Sequence, residues 1–282
     1  MYFDIDYLTW DDTYPDENYS IGYSFDMFRS QNPTYLENLR YRIDILYRTY
    51  SALYGSRYSK LNADPQLEET ANLLGFGLLM RHALEAISID LVQRAGLEAQ
   101  GKTANERLTS LEGQTISDYA YAQERTLFLI LDRTNQIAHP HVIEQAPTYE
   151  SFVDLYHSQF RPLIDFHIGL TRNGSVRRYL KALQKRLDNF KLKDGATRTL
   201  TLGNLVRQLT ECTTTLWCYN QSIVPTDAST FENQISLSGV LTQLGRIAKL
   251  NKDSGFGNSS MNCEMVSALF DLKNTSNALM HV

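Results

Sequence analysis

Two short segments of this chain carry residue types that can bind a phosphate and transfer a proton. The first runs from Leu131 to His139 and contains Arg133, Asn135 and His139 itself. An arginine guanidinium binds phosphate oxygens through paired hydrogen bonds, and a histidine titrates near neutral pH. An arginine, a polar amide and a histidine on adjacent turns of one helix therefore point to RNA cleavage or RNA binding.

The second segment lies near the end of the sequence and repeats the first in degraded form. It contains Asn277 and His281 at the same Asn-x-x-x-His spacing, but Thr275 stands at the arginine position. Lys273 precedes it and can reach a phosphate only as a point charge, without the planar fork of arginine. We therefore expect two related units of unequal competence.

Each motif follows a helical stretch with an Arg-x-x-x-Glu pattern, formed by Arg81 with Glu85 and by Arg207 with Glu211. Residues four apart share a helix face, so we expect both pairs to be structural. Between the pair and the motif lies a weaker match, in which residues 106–111 of the first half correspond to residues 245–250 of the second. The three matches follow one another in the same order in both halves. This order indicates a duplicated helical unit. The alternative is chance similarity between amphipathic helices that share one period.

Helical periodicity dominates most of the chain, and strand-like alternation is scarce. Asp64 followed by Pro65 predicts the start of one long helix, and Gly96 predicts its end. Another helix is expected over residues 149–170, with a kink at Pro162. We therefore predict an all-α protein.

Residues 1–32 are acidic and rich in aromatic side chains, with one arginine among seven carboxylates. This composition is too aromatic for plain disorder. We consider an arm packed on the body of the protein, a segment that docks a partner protein, and an arm that mimics nucleic acid.

Residues 172–198 reverse the charge and are strongly basic. On a helix, three of these cations, Arg177, Lys181 and Lys185, follow one stripe, and Arg178 and Arg186 lie nearby. The stretch is either a solvated helix linking two domains or a surface for the phosphate backbone of a nucleic acid. We predict an arm over 1–32, a bundle over 33–171, a basic linker helix over 172–198, and a degenerate second bundle over 199–282.

Composition narrows the possible classes of protein. A chain of 282 residues with 43% hydrophobic content can fill one large core or two modest ones. No apolar stretch approaches the roughly 18 residues of a membrane span, and the first residues lack the pattern of a secretion signal. Three cysteines without metal spacing indicate reduced thiols in a cytoplasmic protein. We find no zinc or nucleotide-loop motif and expect no metal or cofactor.

The arrangement of these residues resembles the HEPN domain, and it is closest to the group of that family associated with restriction and phage-defence genes. Arg133 and His139 enclose five residues, which lies within the family spacing. Asn135 matches the polar position, displaced by one residue. Arg81 and Glu85 match the earlier helix. The resemblance covers residues 64–171 well and 199–282 weakly.

The resemblance implies small antiparallel helical bundles that pair, so that two motifs form one cleft. Active members are RNases that need no metal. It implies attack by the substrate's own 2′-hydroxyl, proton transfer by His139, and stabilisation of the phosphorane by Arg133. The products would carry a 2′,3′-cyclic phosphate and a 5′-hydroxyl. Other members are inactive and serve as binding or assembly subunits.

We therefore predict a metal-independent endoribonuclease of a prokaryotic defence or toxin-like system. The alternatives are a non-catalytic subunit that binds RNA or a partner protein, and a partner of a nucleotidyltransferase. We expect the two copies to pack as an internal pseudo-dimer, although a homodimer through the first copy would also join two motifs. Structural roles also remain open for His139, as a helix-end residue bonded to a carbonyl, and for Arg133, as the partner of Glu85 or Asp132.

Overall fold

A computed structural model of the chain describes residues 33–97, 103–111, 119, 121–138, 147–220 and 263–280. Of these residues, 87% are helical and none lies in a strand, which confirms the all-α prediction. The N-terminal arm over residues 1–32 lies outside the described part, as do His139 and His281.

The described helices follow one another along the chain, and none of them is both long and apolar enough to cross a membrane. They are α1 (Pro33–Tyr54), α2 (Tyr58–Ala63), α3 (Pro65–Arg94), α4 (Ala104–Thr109), α5 (Tyr121–Ala138), α6 (Tyr149–Leu155), a π-helical turn (Tyr156–Phe160), α7 (Arg161–Leu170), α8 (Gly174–Asp188), α9 (Gly195–Asn220) and α10 (Cys263–Met280).

Packing divides the chain into two compact units. One is formed by the described residues within Met1–Asp44 and Leu209–Asn274, and the other by those within Ile45–Gln208 and Thr275–Val282. We call the second the α3 unit, after its central helix. The boundaries expected at residues 171 and 198 both fall inside the α3 unit, so the basic segment belongs to that unit.

Helix α3 begins and ends where the sequence predicts. The Asp64 carboxylate accepts hydrogen bonds from the backbone N–H groups of Gln66 and Leu67, and Pro65 occupies the first turn. Just past the helix end, Gly96 has φ +72°, the left-handed conformation that a glycine adopts without strain. These caps allow α3 to run for 30 residues.

Helix α3 is surrounded by other helices of its unit. It packs against α2, α4, α5, α6, α7 and α8, and every residue from 74 to 88 is buried. A helix that is buried on all sides cannot keep one solvated face, so its polar residues must find partners inside the protein. The polar side chains at the middle of α3 are therefore held by partners on the surrounding helices.

Two glycines allow the neighbouring segments to approach α3 closely. A Cβ atom at Gly77 would collide with Cδ1 of Ile137 on α5 and would press on Phe152 of α6. A Cβ atom at Gly75 would lie 2.5 Å from the Thr201 hydroxyl oxygen on α9. Both contacts require the missing side chain, because real Cβ atoms do not come this close to other heavy atoms.

The helix expected over residues 149–170 is continuous, but it contains the π-helical turn directly before Pro162. Proline has no N–H, and its ring collides with the carbonyl four residues earlier in a regular α-helix. Widening of the preceding turn relieves this conflict. The turn brings Tyr156 and Arg161 to α8, where both donate hydrogen bonds to Asp188, at 2.8 Å and 3.0 Å.

Helix α8 contains the basic stripe, and it is also part of the core. Leu180, Leu183 and Leu187 are buried, and α8 packs against α3. Its first turn is capped by Asn173, whose side chain accepts from the N–H groups of Ser175 and Val176. The basic segment is therefore an amphipathic helix with one apolar face inside the α3 unit.

Candidate functional site

Helix α5 carries the first motif and rests on α3 through one face. Its buried residues recur every three or four positions: Leu127, Ile130, Leu131, Thr134 and Ile137. Arg133 and Asn135 flank this face on opposite sides, because two residues along an α-helix are separated by roughly 160° around its axis. The helix therefore directs the two motif residues to different surroundings.

Arg133 lies on the surface. Its Nη1 donates one long hydrogen bond, 3.4 Å, to Oε1 of Gln136, and within the described residues it forms no ion pair. The Asp132 carboxylate accepts instead from the Gln136 amide, at 3.2 Å. An ion pair of Arg133 with Asp132 or with Glu85 is therefore absent from the described part of the chain.

Asn135 turns toward α3. Its Oδ1 accepts a 2.5 Å hydrogen bond from Nη1 of Arg81, and the same nitrogen lies 3.5 Å from the Thr134 hydroxyl oxygen. The Asn135 oxygen is thus occupied by a nearly buried guanidinium, whereas no described residue accepts a hydrogen bond from its amide nitrogen.

Glu85 is the centre of a buried charged network that links α3 to α4. Its Oε1 accepts a 3.1 Å hydrogen bond from Nε of Arg81, and its Oε2 lies 3.6 Å from Nη2 of Arg107. Glu85 is 1% exposed. One carboxylate therefore balances two guanidinium groups away from water, and Arg81 and Glu85 form the ion pair that their spacing predicts.

Arg107 is the member of this network that the sequence analysis did not single out. Its Nε donates a 2.9 Å hydrogen bond to the Ser88 hydroxyl. Burial lowers the pKa of Arg107, and the negative charge of Glu85 opposes that lowering. A signal was present in the sequence, because Arg107 shares the apolar face of α4 with Ala104 and Leu108. An arginine on such a face needs an internal anion.

The second copy is described only in part. Arg207 and Glu211 both lie buried in α9, at the spacing of the first pair. On α10, Lys273 places its ammonium nitrogen 5.8 Å from the centre of the Phe270 ring. Asn277 belongs to α10, but its side chain lies outside the described residues. The cleft expected between the two motifs therefore stays a prediction.

A cavity of about 350 Å³ lies beside Arg133, between α5 and the helix that begins at α6. Its apolar walls include Leu129 and Phe152. Its polar walls are formed by Arg133, Asp154, Ser158 and Gln159. The exposed guanidinium of Arg133 thus faces a cavity that is large enough for part of a ligand.

The basic stripe of α8 is exposed along its length. Arg177 donates a 2.5 Å hydrogen bond to the carbonyl oxygen of Thr171. The side chains of Arg178, Lys181 and Lys185 are exposed and form no ion pair with the described residues. Three cations in a row without internal partners can bind successive phosphates of a nucleic acid.

His167 belongs to a separate buried cluster. Its Nδ1 lies 2.6 Å from the Tyr119 hydroxyl, and its Nε2 lies 3.1 Å from Oδ2 of Asp90. Burial lowers the pKa of His167, Arg94 adds to the lowering, and Asp90 opposes it. A neutral ring accepts the Tyr119 hydroxyl at Nδ1, while Nε2 lies close to the Asp90 carboxylate without hydrogen-bond geometry.

In the described part of the chain, no group of three or more His, Cys, Asp or Glu residues is placed to hold a metal ion. Comparisons of this protein with protein-family models, with curated proteins and with solved structures found no match. The resemblance to the HEPN domain consequently rests on the residues named in the sequence.

Proposed function

We propose that this protein is a metal-independent endoribonuclease of a prokaryotic defence or toxin-like system, acting in the cytoplasm. The first motif forms its reactive site. Arg133 binds the phosphate at the cleaved bond, His139 transfers protons, and Asn135 supports the phosphate. The substrate's own 2′-hydroxyl is the nucleophile.

The observation that carries this proposal is the surroundings of Arg133. An arginine that serves stability is expected to pair with a carboxylate, and Glu85 and Asp132 are the two partners that the sequence suggests for Arg133. Glu85 instead lies between Arg81 and Arg107, and Asp132 accepts from Gln136. The Arg133 guanidinium is left exposed and available for a phosphate.

Asn135 lies on the opposite side of α5 from Arg133, so the two residues contact one phosphate only where a second motif pairs with the first, as in the assembly proposed below. Because its oxygen accepts from Arg81, its amide nitrogen keeps both N–H groups for an acceptor such as a phosphate oxygen. Residues four apart lie on the same side of a helix, so a helix continued by one residue beyond Ala138 would place His139 next to Asn135. In this arrangement Arg81 is a positioning residue, supported in turn by Glu85.

The reaction needs one proton acceptor and one proton donor. His139 removes the proton of the 2′-hydroxyl as that oxygen attacks the phosphorus. Negative charge builds on the phosphorane oxygens and is stabilised by Arg133. The bond to the 5′-oxygen then breaks, and a proton returns to that oxygen. The RNA is left with a 2′,3′-cyclic phosphate on one fragment and a 5′-hydroxyl on the other.

RNA is the partner that this chemistry requires, and the exposed cations of α8 support it. Arg178, Lys181 and Lys185 would bind the backbone outside the reactive site, with Arg177 at the start of the stripe. Such contacts weaken steeply as salt concentration rises. RNA binding that falls with salt, and that falls less steeply once Lys181 and Lys185 are replaced by Gln, would support this surface.

For the assembly, we propose an internal pseudo-dimer in which the second copy contributes Asn277, His281 and Lys273. Arg207 and Glu211 are both buried and stand four residues apart, like Arg81 and Glu85, which supports a duplicated unit. A homodimer through the first copy is the competing arrangement. Light scattering at dilute concentration separates them, because an active monomer excludes the homodimer.

A non-catalytic subunit that binds RNA or a partner protein is the second candidate. It is favoured by the same hydrogen bond between Arg81 and Asn135, because a structural role in holding α5 on α3 would by itself explain an asparagine at position 135. In this case replacement of His139 leaves function intact, whereas deletion of residues 1–32 removes partner binding.

The deciding experiment is cleavage of a labelled RNA in excess EDTA by the unaltered protein, by Arg133→Ala and by His139→Ala. Arg57→Ala is the matched control, because Arg57 is an exposed arginine outside the motif. Cleavage by the unaltered and control proteins only, with cyclic-phosphate ends, would support the enzyme. Equal cleavage by all four proteins would show that this motif is not the reactive site. Absence of cleavage by all four proteins would favour the binding subunit.

A further inference from the structure

Two opposite charges line the cavity beside Arg133 without meeting each other. Arg133 and Asp154 both face this space, and no ion pair joins them. The Asp154 carboxylate also receives no hydrogen bond from any described residue. This cavity, which we also call the groove, therefore suits a ligand that carries an anion at one end, for Arg133, and N–H donors at the other, for Asp154.

The other polar side chains of the groove differ in their availability. The Ser158 hydroxyl donates to the carbonyl oxygen of Asp154, at 2.6 Å. Ser151 is occupied in the cap of α6, where its hydroxyl and its N–H exchange hydrogen bonds with Thr148. Besides Arg133, the polar groups that remain for a ligand are thus Asp154 and Gln159, and the half-buried Leu129 and Leu155 supply the apolar surface.

The carboxylate of Asp154 distinguishes among the four bases of RNA. An ionised carboxylate is an acceptor only, with two oxygens side by side. Guanine presents two adjacent donors on its Watson–Crick edge, N1–H and the N2 amino group. Adenine and cytosine place a ring acceptor beside their amino group, and uracil flanks its single N–H with two carbonyls, so each of them sets an acceptor against the carboxylate.

We propose that this groove is a base-recognition subsite for guanine, with Asp154 as its specificity-determining residue. The base lies against the half-buried Leu129 and Leu155, Asp154 accepts from N1–H and N2–H, and Arg133 binds the phosphate of the same nucleotide. Recognition of an unstacked base along its Watson–Crick edge is the usual way in which proteins read single-stranded RNA. The inference rests on the proposed function through the phosphate contact of Arg133.

The size of the groove agrees with this occupant. Pockets for small ligands span roughly 300 to 1,000 Å³, and this cavity, at about 350 Å³, lies at the lower end. It therefore suits a single nucleotide of an RNA chain whose neighbours remain outside.

The test measures binding separately from cleavage. The full chain carrying His139→Ala is titrated calorimetrically with guanosine 3′-monophosphate and with inosine 3′-monophosphate, which differs only by the missing N2 amino group. We expect guanosine to bind about tenfold more tightly, the effect of one hydrogen bond to a charged group. Asp154→Asn, added to the same chain, should abolish this preference, because the amide sets a donor against the donors of guanine.

Glu150→Gln is the matched control, since Glu150 is an exposed carboxylate on the same helix and does not line the cavity. It should retain the tenfold preference. Equal binding of the two nucleotides, or a preference that survives Asp154→Asn, would overturn the proposal. The nucleotide pair keeps the test valid even if Asp154→Asn fails to fold.

Failure of this inference and failure of the proposed function are distinguishable. RNA cleavage without a guanine preference would leave the endoribonuclease standing and overturn the groove. A guanine preference in binding, with no RNA cleaved by the unaltered protein, would support the groove and overturn the endoribonuclease.

Discussion

Nη1 of Arg81 donates a 2.5 Å hydrogen bond to Oδ1 of Asn135, joining helices α3 and α5 across 54 positions of the sequence. Arg81 belongs to the Arg-x-x-x-Glu pattern and Asn135 to the motif from Arg133 to His139. The hydrogen bond between them connects the two motifs, and neither sequence pattern predicts it. The arrangement links the buried charge of Glu85 to Asn135, which stands four residues before His139 in the sequence.

We expect Arg81 and Asn135 to be energetically coupled. In a double-mutant cycle of Arg81→Lys and Asn135→Ala, the free energies of unfolding should depart from additivity by about 0.5–3 kcal/mol, as for residues in one network. Urea denaturation measures this quantity. The matched pair, Arg81→Lys with Asn173→Ala, should be additive within about 0.5 kcal/mol, because Asn173 caps the separate helix α8. Additivity in both pairs would contradict the network.

Replacement of Glu85 by Gln should be strongly destabilising. The change removes the negative charge that lies between the buried guanidinium groups of Arg81 and Arg107. Breaking a buried ion pair on one side costs about 3–5 kcal/mol. Thermal and urea unfolding check this value. Glu150→Gln, on an exposed carboxylate, should stay within about 0.5 kcal/mol of the unaltered protein, and a similar small effect at Glu85 would refute the role of the network.

Replacement of Arg133 by Ala should separate activity from stability. Because Arg133 is exposed and makes one long hydrogen bond, the free energy of unfolding should change by no more than about 0.5 kcal/mol. Loss of a group that stabilises charge in the transition state typically lowers kcat about 100- to 1,000-fold. Cleavage rates and Tm, measured on the same preparation, decide the point. A large fall in Tm would show that Arg133 is structural.

Replacement of Gly77 by Ala should destabilise the α3 unit, although alanine favours a helix. Overpacking costs about 1–3 kcal/mol because the new Cβ atom meets Cδ1 of Ile137. Ile137→Val deletes that atom, so Gly77→Ala should cost less when combined with Ile137→Val than in the unaltered protein. Unfolding free energies of the unaltered protein, the two single variants and the double variant show whether this rescue occurs.

Gly169→Ala is the control for backbone effects. A Cβ atom at Gly169 meets nothing within 4 Å. The alanine should therefore stabilise the protein by about 0.5–1 kcal/mol, the helix preference of alanine over glycine. A stabilising effect at Gly77 as well would mean that α5 does not pack as closely against α3 as the structure has it.

The buried His167 should make stability depend on pH. Burial holds its pKa below the usual value, so near and below pH 6.5 the unfolded chain binds a proton that the folded chain does not. Stability is therefore lost as pH falls below about 6.5, by at most about 1.4 kcal/mol per pH unit for this group. Urea midpoints at pH 7.5, 6.5 and 5.5 measure the loss.

Two variants isolate this contribution from that of the carboxylates. His167→Gln should lower stability at neutral pH and flatten its decline toward pH 5.5. His157→Gln, at an exposed histidine, should keep the pH dependence of the unaltered protein. Identical slopes for the His167→Gln and unaltered proteins would show that His167 does not remain neutral in the fold.

The local features of this protein could be read from its sequence. The helical class, the caps of α3 at Asp64 and Gly96, and the pair of Arg81 with Glu85 all depend on residues within a few positions of one another. Hydrophobic period, backbone preference and the four-residue spacing of a helix determine them before any distant contact forms. The same reasoning proposed Arg133 and His139 as a motif, because their chemistry is a property of the residue types.

The tertiary structure decided which of these polar groups have hydrogen-bond or ion-pair partners. Glu85 balances Arg107 as well as Arg81, Asn135 accepts from α3, and Arg133 remains exposed beside a cavity that also contains Asp154. Each of these relations joins residues that are tens of positions apart. They depend on how closely helices pack, which at α3 is set by the missing side chains of Gly75 and Gly77. Local periodicity can identify a polar residue, but the competition among buried charges for a common partner is resolved only when the helices are packed together.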